Sequence, residues 1–310
     1  MRAAALSEFG SAPEVQDVEI PTPAAGEVLV RVRAASVNGF DLAVANGYLN
    51  GMMEHRFPVV LGKDFAGTVE AVGADVGGYA VGDRVFGVVT KSFLGDGSFG
   101  EYVTVPSAIG LARIPDGLDF TAAAGLGLAG TAAVDTIDSA AIKSGELVLV
   151  AGATGGVGSY VVQLAANAGA RVIATAHTAD EHEHVTALGA AEIVDYTEDV
   201  AAQVREAHPT GVDVVIHLAG DAGALLPAAA DGGRFLSTLI GSPDQLPTET
   251  LTVLPVMANP TPHTLERLAA NQLTGDSVVS VQRVYSLDDF SDAFADFASG
   301  TLGKIVISID

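Results

Sequence analysis

The sequence predicts an α/β protein made of a β-rich region followed by a doubly wound, mainly parallel sheet. Short alternations of apolar and polar residues, separated by glycines, fill residues 1–120. From residue 148 onwards, apolar β runs alternate with helical stretches, which is typical of parallel βα units. The chain has 310 residues, which is long enough for two domains of ordinary size.

In the first part, strands are predicted where apolar and polar residues alternate, at 27–35, 67–72 and 83–89. Residues 121–141 are rich in Ala and Leu and lack this alternation. The change of pattern predicts a domain boundary near residue 120.

The βα alternation ends around residues 258–260. The sequence then predicts four closing elements, namely a helix over 263–271, a strand over 278–284, a helix over 287–299 and a strand over 304–309. Because the closing strands stand outside the βα series, we assign them to the first domain. The predicted domains are residues 1–120 together with 259–310, and residues 121–258.

Charge and residue types exclude several classes of function. Fifteen Lys and Arg stand against 38 Asp and Glu, a formal net charge of −23, so the surface field repels nucleic acid and anionic membranes. The chain has no cysteine, which excludes disulfides, thiolate zinc sites and thiol nucleophiles. No signal peptide or run of ~18 apolar residues is present. We expect a cytoplasmic protein with no nucleic-acid or membrane partner.

A glycine-rich turn between an apolar β run and an apolar helix is the most informative stretch. The helix is predicted to end at Gly169, where a left-handed cap is expected. Backbone N–H groups in such a turn can approach a pyrophosphate closely, and the helix dipole adds to the attraction. The spacing differs from a strict G-x-G-x-x-G, so the interpretation of this turn as a nucleotide-binding cradle depends on the strands and the helix around it. Its candidate binding residues are Gly152, Thr154, Gly155, Gly156, Val157 and Gly158.

A second strand, at residues 171–176, follows the helix directly and completes a βαβ unit. An NAD-preferring site carries an acidic side chain near the end of this strand, about 20 residues past the glycines. Ala176, His177 and Thr178 occupy that corner instead. We therefore predict NADPH as the cofactor, although acidic residues 180, 181 and 183 follow and no Lys or Arg lies within the next several residues.

Several further stretches together resemble the medium-chain dehydrogenase/reductase superfamily, in its zinc-free NADPH:quinone oxidoreductase (zeta-crystallin-like) branch. The resemblance covers almost the whole chain. Its stretches are residues 35–41 (ASVNGFD), 61–69 (LGKDFAGTV), 81–87 (VGDRVFG), 97–103 (GSFGEYV), 126–132 (LGLAGTA) and 303–306 (GKIV).

The resemblance implies a discontinuous GroES-like β domain, a Rossmann domain, a cleft between them and a homodimer. Zinc-dependent relatives carry Cys, His and Cys ligands where this sequence has Asn38, Lys63 and Leu126. An amide is a poor zinc ligand, an ammonium is cationic and Leu has no donor, so we expect no metal. Without a Lewis acid, hydride transfer from NADPH to a conjugated carbonyl, in a quinone or an enone, is the natural chemistry.

The resemblance also implies roles for individual residues. Asn38 would donate to the nicotinamide ribose or the substrate carbonyl, and Tyr48 and Lys63 would supply a proton or a hydrogen bond. Further positions along the cofactor are Thr131, Tyr196, Ala219, Gly220, Ile240 and Gly241.

Each of these assignments has a structural alternative. Asn38 could cap a turn, Lys63 could be a surface lysine paired with an acid, and Tyr48 could anchor a loop. Thr178 could cap a helix and Tyr196 could merely pack under the adenine. The run at residues 180–184 (DEHEH) is expected to be an exposed helix start rather than a metal site.

Two other functions remain open at this stage. One is an enone or alkenal reductase of the same architecture. The other is a nucleotide-binding redox sensor without turnover, because a cradle indicates binding and not catalysis.

Overall fold

The computed structural model describes residues 1–309. The strands, in chain order, are β1 Arg2–Leu6, β2 Glu14–Asp17, β3 Glu27–Ser36, β4 Glu54–His55, β5 Val59–Val60, β6 Asp64–Val72, β7 Arg84–Val88, β8 Phe93–Leu94, β9 Tyr102–Pro106, β10 Leu111–Arg113, β11 Leu147–Ala151, β12 Arg171–Thr175, β13 Glu192–Val194, β14 Val212–His217, β15 Ala229–Ser237, β16 Thr252–Pro255, β17 Val281–Ser286 and β18 Lys304–Ser308. The helices are α1 Gly39–Ala45, α2 Phe120–Ala140, α3 Gly156–Asn167, α4 Ala179–Ala187, α5 Val200–Ala207, α6 Ala222–Leu225, α7 Pro262–Thr274 and α8 Phe290–Ala298, with short 3₁₀ turns at Leu226–Ala228, Pro243–Gln245 and Leu287–Asp289.

The chain forms two compact units. The first contains Met1–Thr131, Pro260–Thr274 and Val281–Asp310, and the second contains Ala132–Asn259 and Gly275–Ser280. The expected boundary near residue 120 is the start of α2, and the chain passes from one unit to the other inside this helix. A continuous apolar helix carries no break in composition at that point, so the sequence pattern located the helix start instead.

The first unit is organised around β3, a ten-residue strand that pairs with β6, β9 and β18. Its large sheet has the order β10-β7-β6-β3-β18-β17, and a smaller sheet has the order β2-β1-β5. Alternate residues of these strands fill one apolar core. The closing strands β17 and β18 join this sheet, as predicted, but they are parallel neighbours connected through α8, so they form a βα unit of their own.

The second unit is a six-stranded parallel sheet with the order β13-β12-β11-β14-β15-β16. This order confirms the predicted doubly wound class, because chain direction across the sheet reverses next to β11. Residues 235–237 belong to β15, which lies between β14 and β16, so they are not at an edge, and the edge strands of this sheet are β13 and β16.

One helix, α2, is long and apolar enough to cross a membrane by length and composition, and no other helix of the part described is. Most of α2 is buried inside the protein.

Candidate active site

In the first unit, Asp64 is the centre of a buried polar cluster. Its carboxylate accepts hydrogen bonds from the Ser36 hydroxyl (2.7 Å), the Asn38 side-chain amide (2.9 Å) and the Leu128 backbone N–H (2.7 Å). Lys304 Nζ lies 3.5 Å from the same carboxylate. Asp64 has no exposed surface, so this set of donors is what makes a buried charge tolerable.

Asn38 is fully committed inside this cluster. Its amide nitrogen donates to Ser36 O at 3.1 Å as well as to Asp64, and its oxygen accepts from Lys304 Nζ at 2.6 Å. Asn38 also occupies the N-cap position of α1, but its side chain makes no capping hydrogen bond. In this arrangement no Asn38 amide hydrogen is left for a ligand, so its predicted role as a donor stays a prediction that requires one of these bonds to open.

Asp41 lies in the first turn of α1 and accepts the Asn38 backbone N–H at 2.8 Å. It is buried, and burial together with the nearby charge of Asp64 raises the pKa of Asp41 to about 7. Burial also lowers the pKa of Lys304, against the opposing effect of Asp64 and Asp41.

Lys63 is partly buried rather than a surface lysine. Its Nζ donates to Val89 O at 2.8 Å and stands 4.7 Å from the centre of the Phe40 ring. Burial lowers the pKa of Lys63, which makes its ammonium a better proton donor than a solvated one. Tyr48, in contrast, is 74% exposed on the loop that follows α1.

Sequence reasoning missed Ser36, Asp64 and Lys304 as members of this site. All three lie within stretches that carried the family resemblance, but no role had been given to them. A signal was present, because Asp64 and Lys304 are charged residues at the starts of apolar strands. Leu126, at the third position where zinc-dependent relatives carry a ligand, is fully buried.

In the second unit, the glycine turn has the close packing expected of a cradle. Gly152 has φ +87°, and a Cβ on Gly158 would lie only 2.1 Å from Gly152 O. At Gly155 the space is open, with the nearest atom 3.8 Å from a Cβ position. The N–H groups of the first turn of α3 have no i−4 carbonyl within the helix, which leaves them available to a ligand at the helix start. These features fit the pyrophosphate of a dinucleotide.

Other predicted cofactor residues lie at the same edge of the sheet. Ala219 follows β14, and its methyl is the group that a Cβ on Gly152 would meet, at 2.9 Å. The carbonyl of Gly220 accepts from His217 Nε2 at 3.1 Å, and Ser237 Oγ lies 2.9 Å from His217 Nδ1. His217 is thus a buried, hydrogen-bonded histidine. Ile240 and Gly241 follow β15, whose end lies at this edge because the strands are parallel.

After β12, an acidic side chain at the start of α4 turns back onto the N–H groups of residues 177 and 178. Glu181, at the third position of α4, accepts the N–H groups of His177 (2.6 Å) and Thr178 (3.0 Å) and the hydroxyl of Tyr196 (3.0 Å). Thr178 is the N-cap of α4, which confirms the structural alternative that it caps a helix. His177 Nδ1 lies 2.9 Å from Asp195, and Ala176 is buried.

Thr131, in α2, has a buried hydroxyl with no hydrogen-bond partner among the described residues. Thr136 on the same helix bonds Ala132 O at 2.6 Å, which is the usual solution for a helical threonine. An unsatisfied buried hydroxyl is costly, so this group is suited to a ligand at the family's cofactor position.

The run at residues 180–184 is part of α4, as expected, and the described residues contain no group of three or more His, Cys, Asp or Glu placed to hold a metal ion.

Comparisons with known proteins agree with this architecture. Residues 24–116 match the alcohol dehydrogenase GroES-like domain, and residues 156–259 match the zinc-binding dehydrogenase model. The quinone oxidoreductase of Sus scrofa is 32% identical over 99% of this chain and 97% of its own length. The quinone oxidoreductase structure from Coxiella burnetii has a TM-score of 0.88 at 26% identity, covering 100% of this chain and 99% of its own.

The CurK enoyl reductase is similar as well, with a TM-score of 0.84 at 25% identity over 100% of this chain and 99% of its own. A GroES-like first part, a parallel nucleotide-binding sheet and near-complete alignment to a quinone oxidoreductase lead to one assignment. The chain belongs to the medium-chain dehydrogenase/reductase superfamily, in its quinone oxidoreductase branch.

Proposed function

We propose that this oxidoreductase transfers a hydride from NADPH to a quinone without zinc. The observation that carries the proposal is the chemistry at the three positions where zinc-dependent relatives carry ligands. Asn38 is bonded within a buried cluster, Lys63 is a cation and Leu126 has no donor atom. This set of side chains cannot coordinate a metal ion, but it includes an ammonium that can act on a carbonyl oxygen.

In the proposed reaction the reduced nicotinamide, when bound, supplies the hydride. Lys63 has three N–H donors and spends one on Val89 O. We assign the others to stabilising negative charge on the acceptor oxygen, and the burial of Lys63 strengthens this interaction by limiting screening. We assign to the exposed Tyr48 hydroxyl a second hydrogen bond to the acceptor.

Asn38 contributes mainly by position in this proposal. With both amide hydrogens engaged, it fixes the start of α1 relative to Asp64 and Lys304. It donates to the nicotinamide ribose or the acceptor only by giving up its bond to Ser36 O or its bond to Asp64.

The proposed preference for NADPH rests on the residues that directly follow β12, where Ala176, His177 and Thr178 stand in place of an acidic side chain. His177 adds to it, because pairing with Asp195 raises the pKa of this imidazole and favours its cationic form. The Glu181 carboxylate at the same corner works against it.

A second candidate function is reduction of an enone or alkenal. Lys63 supports it, because burial lowers the pKa of its ammonium and an enone needs a placed proton donor at its α-carbon. The similarity to the CurK enoyl reductase favours the same reading.

We also propose a homodimer formed through the exposed edge of β16, since an unpaired strand edge is a template for pairing with a second copy. Sedimentation at micromolar concentration tests this, and a single species of 31.3 kDa would contradict it. The cytoplasmic location stays a prediction.

The decisive experiment is steady-state oxidation of NADPH and of NADH by the purified protein, each with a small quinone and a small enone, in the presence of a chelator. We expect chelator-resistant quinone turnover that is faster with NADPH. Turnover with the enone alone would support the second candidate. Cofactor binding without turnover of any acceptor would instead indicate a redox sensor.

A further inference from the structure

The corner that follows β12, at residues 176–178, is occupied by a carboxylate of the protein itself. Glu181 Oε2 accepts two consecutive backbone N–H groups, those of His177 at 2.6 Å and Thr178 at 3.0 Å. Glu181 Oε1 accepts the Tyr196 hydroxyl at 3.0 Å. Three donors therefore converge on one carboxylate at the place where the adenosine ribose lies in nucleotide-binding βαβ units.

These donors are the ones that a phosphate on the ribose 2′-oxygen would use. Two adjacent backbone N–H groups and a phenol, beside an imidazole, make a suitable set for a phosphate. While the Glu181 carboxylate is bound there, an arriving 2′-phosphate finds the donors occupied and meets a like charge. A 2′-hydroxyl meets no such penalty, since it can donate to the same carboxylate.

We infer that Glu181 is a specificity-determining residue that competes with the cofactor's 2′-phosphate for the N–H groups of His177 and Thr178. This inference rests on the nicotinamide site of the proposed function, and it adds the effect of one side chain on cofactor preference. Removing the Glu181 charge raises the affinity for a 2′-phosphate, whichever cofactor the wild-type protein prefers.

The hydrogen bonds that Glu181 accepts favour its ionised form. Burial alone would raise the pKa of Glu181, but the hydrogen bonds from His177, Thr178 and Tyr196 outweigh burial and the pKa is lowered. On the facing strand end, hydrogen bonds from Thr197 and His177 lower the pKa of Asp195 to about 2. Because His177 is paired with Asp195, it does not neutralise Glu181 through a direct ion pair.

The test uses nucleotide fragments, so that binding is measured apart from hydride transfer. Isothermal titration calorimetry with 2′,5′-ADP and with 5′-AMP gives the ratio of their dissociation constants. In Glu181→Gln, which keeps a hydrogen-bond acceptor at the helix start, we expect 2′,5′-ADP to bind at least ~10-fold more tightly relative to 5′-AMP, equivalent to ~1.4 kcal/mol. The matched control is Glu183→Gln on the same helix, which is exposed and should change the ratio less than ~2-fold.

A second measurement on the wild-type protein does not depend on any variant. In amide NMR spectra, saturating 2′,5′-ADP should shift the His177 and Thr178 signals beyond the changes caused by 5′-AMP, because the phosphate displaces the carboxylate. Equal shifts with the two fragments, or an unchanged affinity ratio in Glu181→Gln, would overturn the inference. If 5′-AMP binds but no acceptor is reduced, the proposed reaction fails while the inference stands.

Discussion

The Asn38 side-chain amide donates to the buried Asp64 carboxylate at 2.9 Å, and Lys304 Nζ contacts the opposite end of the same amide at 2.6 Å. A neutral amide thus bridges a fully buried anion and a fully buried cation. The arrangement ties β3, β6 and β18 together at the start of α1. It also places Asn38, which stands where zinc-dependent relatives carry a ligand, in one cluster with Asp64 and Lys304.

Removing the cation of this cluster should destabilise the first unit strongly. Lys304→Met leaves the buried Asp64 carboxylate without its buried cation, for which a loss of about 3–5 kcal/mol is expected. Urea unfolding measures the change in the free energy of unfolding. Lys143→Met, at an exposed lysine, should change it by less than ~0.5 kcal/mol.

The double variant Lys304→Met with Asp64→Asn separates charge from packing. Since no unpaired charge remains, it should be more stable than Lys304→Met alone. Additive losses would show that the ion pair is not the source of the effect.

The pH dependence of stability should carry a contribution from Asp41. Its pKa is raised from 3.8 to about 7, so the folded state holds a proton that the unfolded chain has already released in this range. The stabilising contribution of protonated Asp41 is therefore fully present below pH 4 and is lost as the pH rises to about 7. Asp41→Asn should gain stability relative to wild type, by at least ~1 kcal/mol, between pH 5 and pH 8.

Urea midpoints of the two proteins, measured across that range, give this difference, and other carboxylates cancel in it. A constant difference between pH 5 and pH 8 would contradict the raised pKa.

Two glycines of the cradle should respond differently to alanine. A Cβ at Gly158 would lie 2.1 Å from Gly152 O, so Gly158→Ala should distort the turn and lower both stability and nucleotide affinity. Gly155 has φ −70° and open space, so Gly155→Ala should leave the melting temperature unchanged. Its methyl group would still project where a phosphate approaches, so 5′-ADP should bind more weakly, as calorimetry can test. Normal affinity in Gly155→Ala would place the pyrophosphate elsewhere.

Lys63 should matter more to an enone than to a quinone. A reduced quinone can take its protons from water, whereas the α-carbon of an enone benefits from a placed donor. Lys63→Met is expected to lower kcat for an enone by ~10²-fold or more and kcat for a quinone by much less. Tyr48→Phe should act in the same direction, and an equal loss for both acceptors in either variant would contradict this difference.

Periodicity and turn chemistry were sufficient for the main architecture. The strand predicted at 27–35 is β3, and the left-handed Gly169 follows α3 as predicted. Local signals worked here because strand alternation and helix caps depend on neighbouring residues. The domain division was less accessible, because α2 runs through it without a change of residue type.

The sequence by itself determined the fold class, the glycine cradle, the family and the absence of cysteine ligands, all of which depend on short stretches read in order. The bonds from Glu181 to the N–H groups of His177 and Thr178 are local as well, because they belong to the capping box of α4. Only the tertiary structure showed that Asp64 and Lys304, 240 residues apart, share Asn38, and that the Tyr196 hydroxyl reaches the Glu181 carboxylate. These contacts join separate segments of the chain, so they are decided by how strands pair and pack, which no local pattern records.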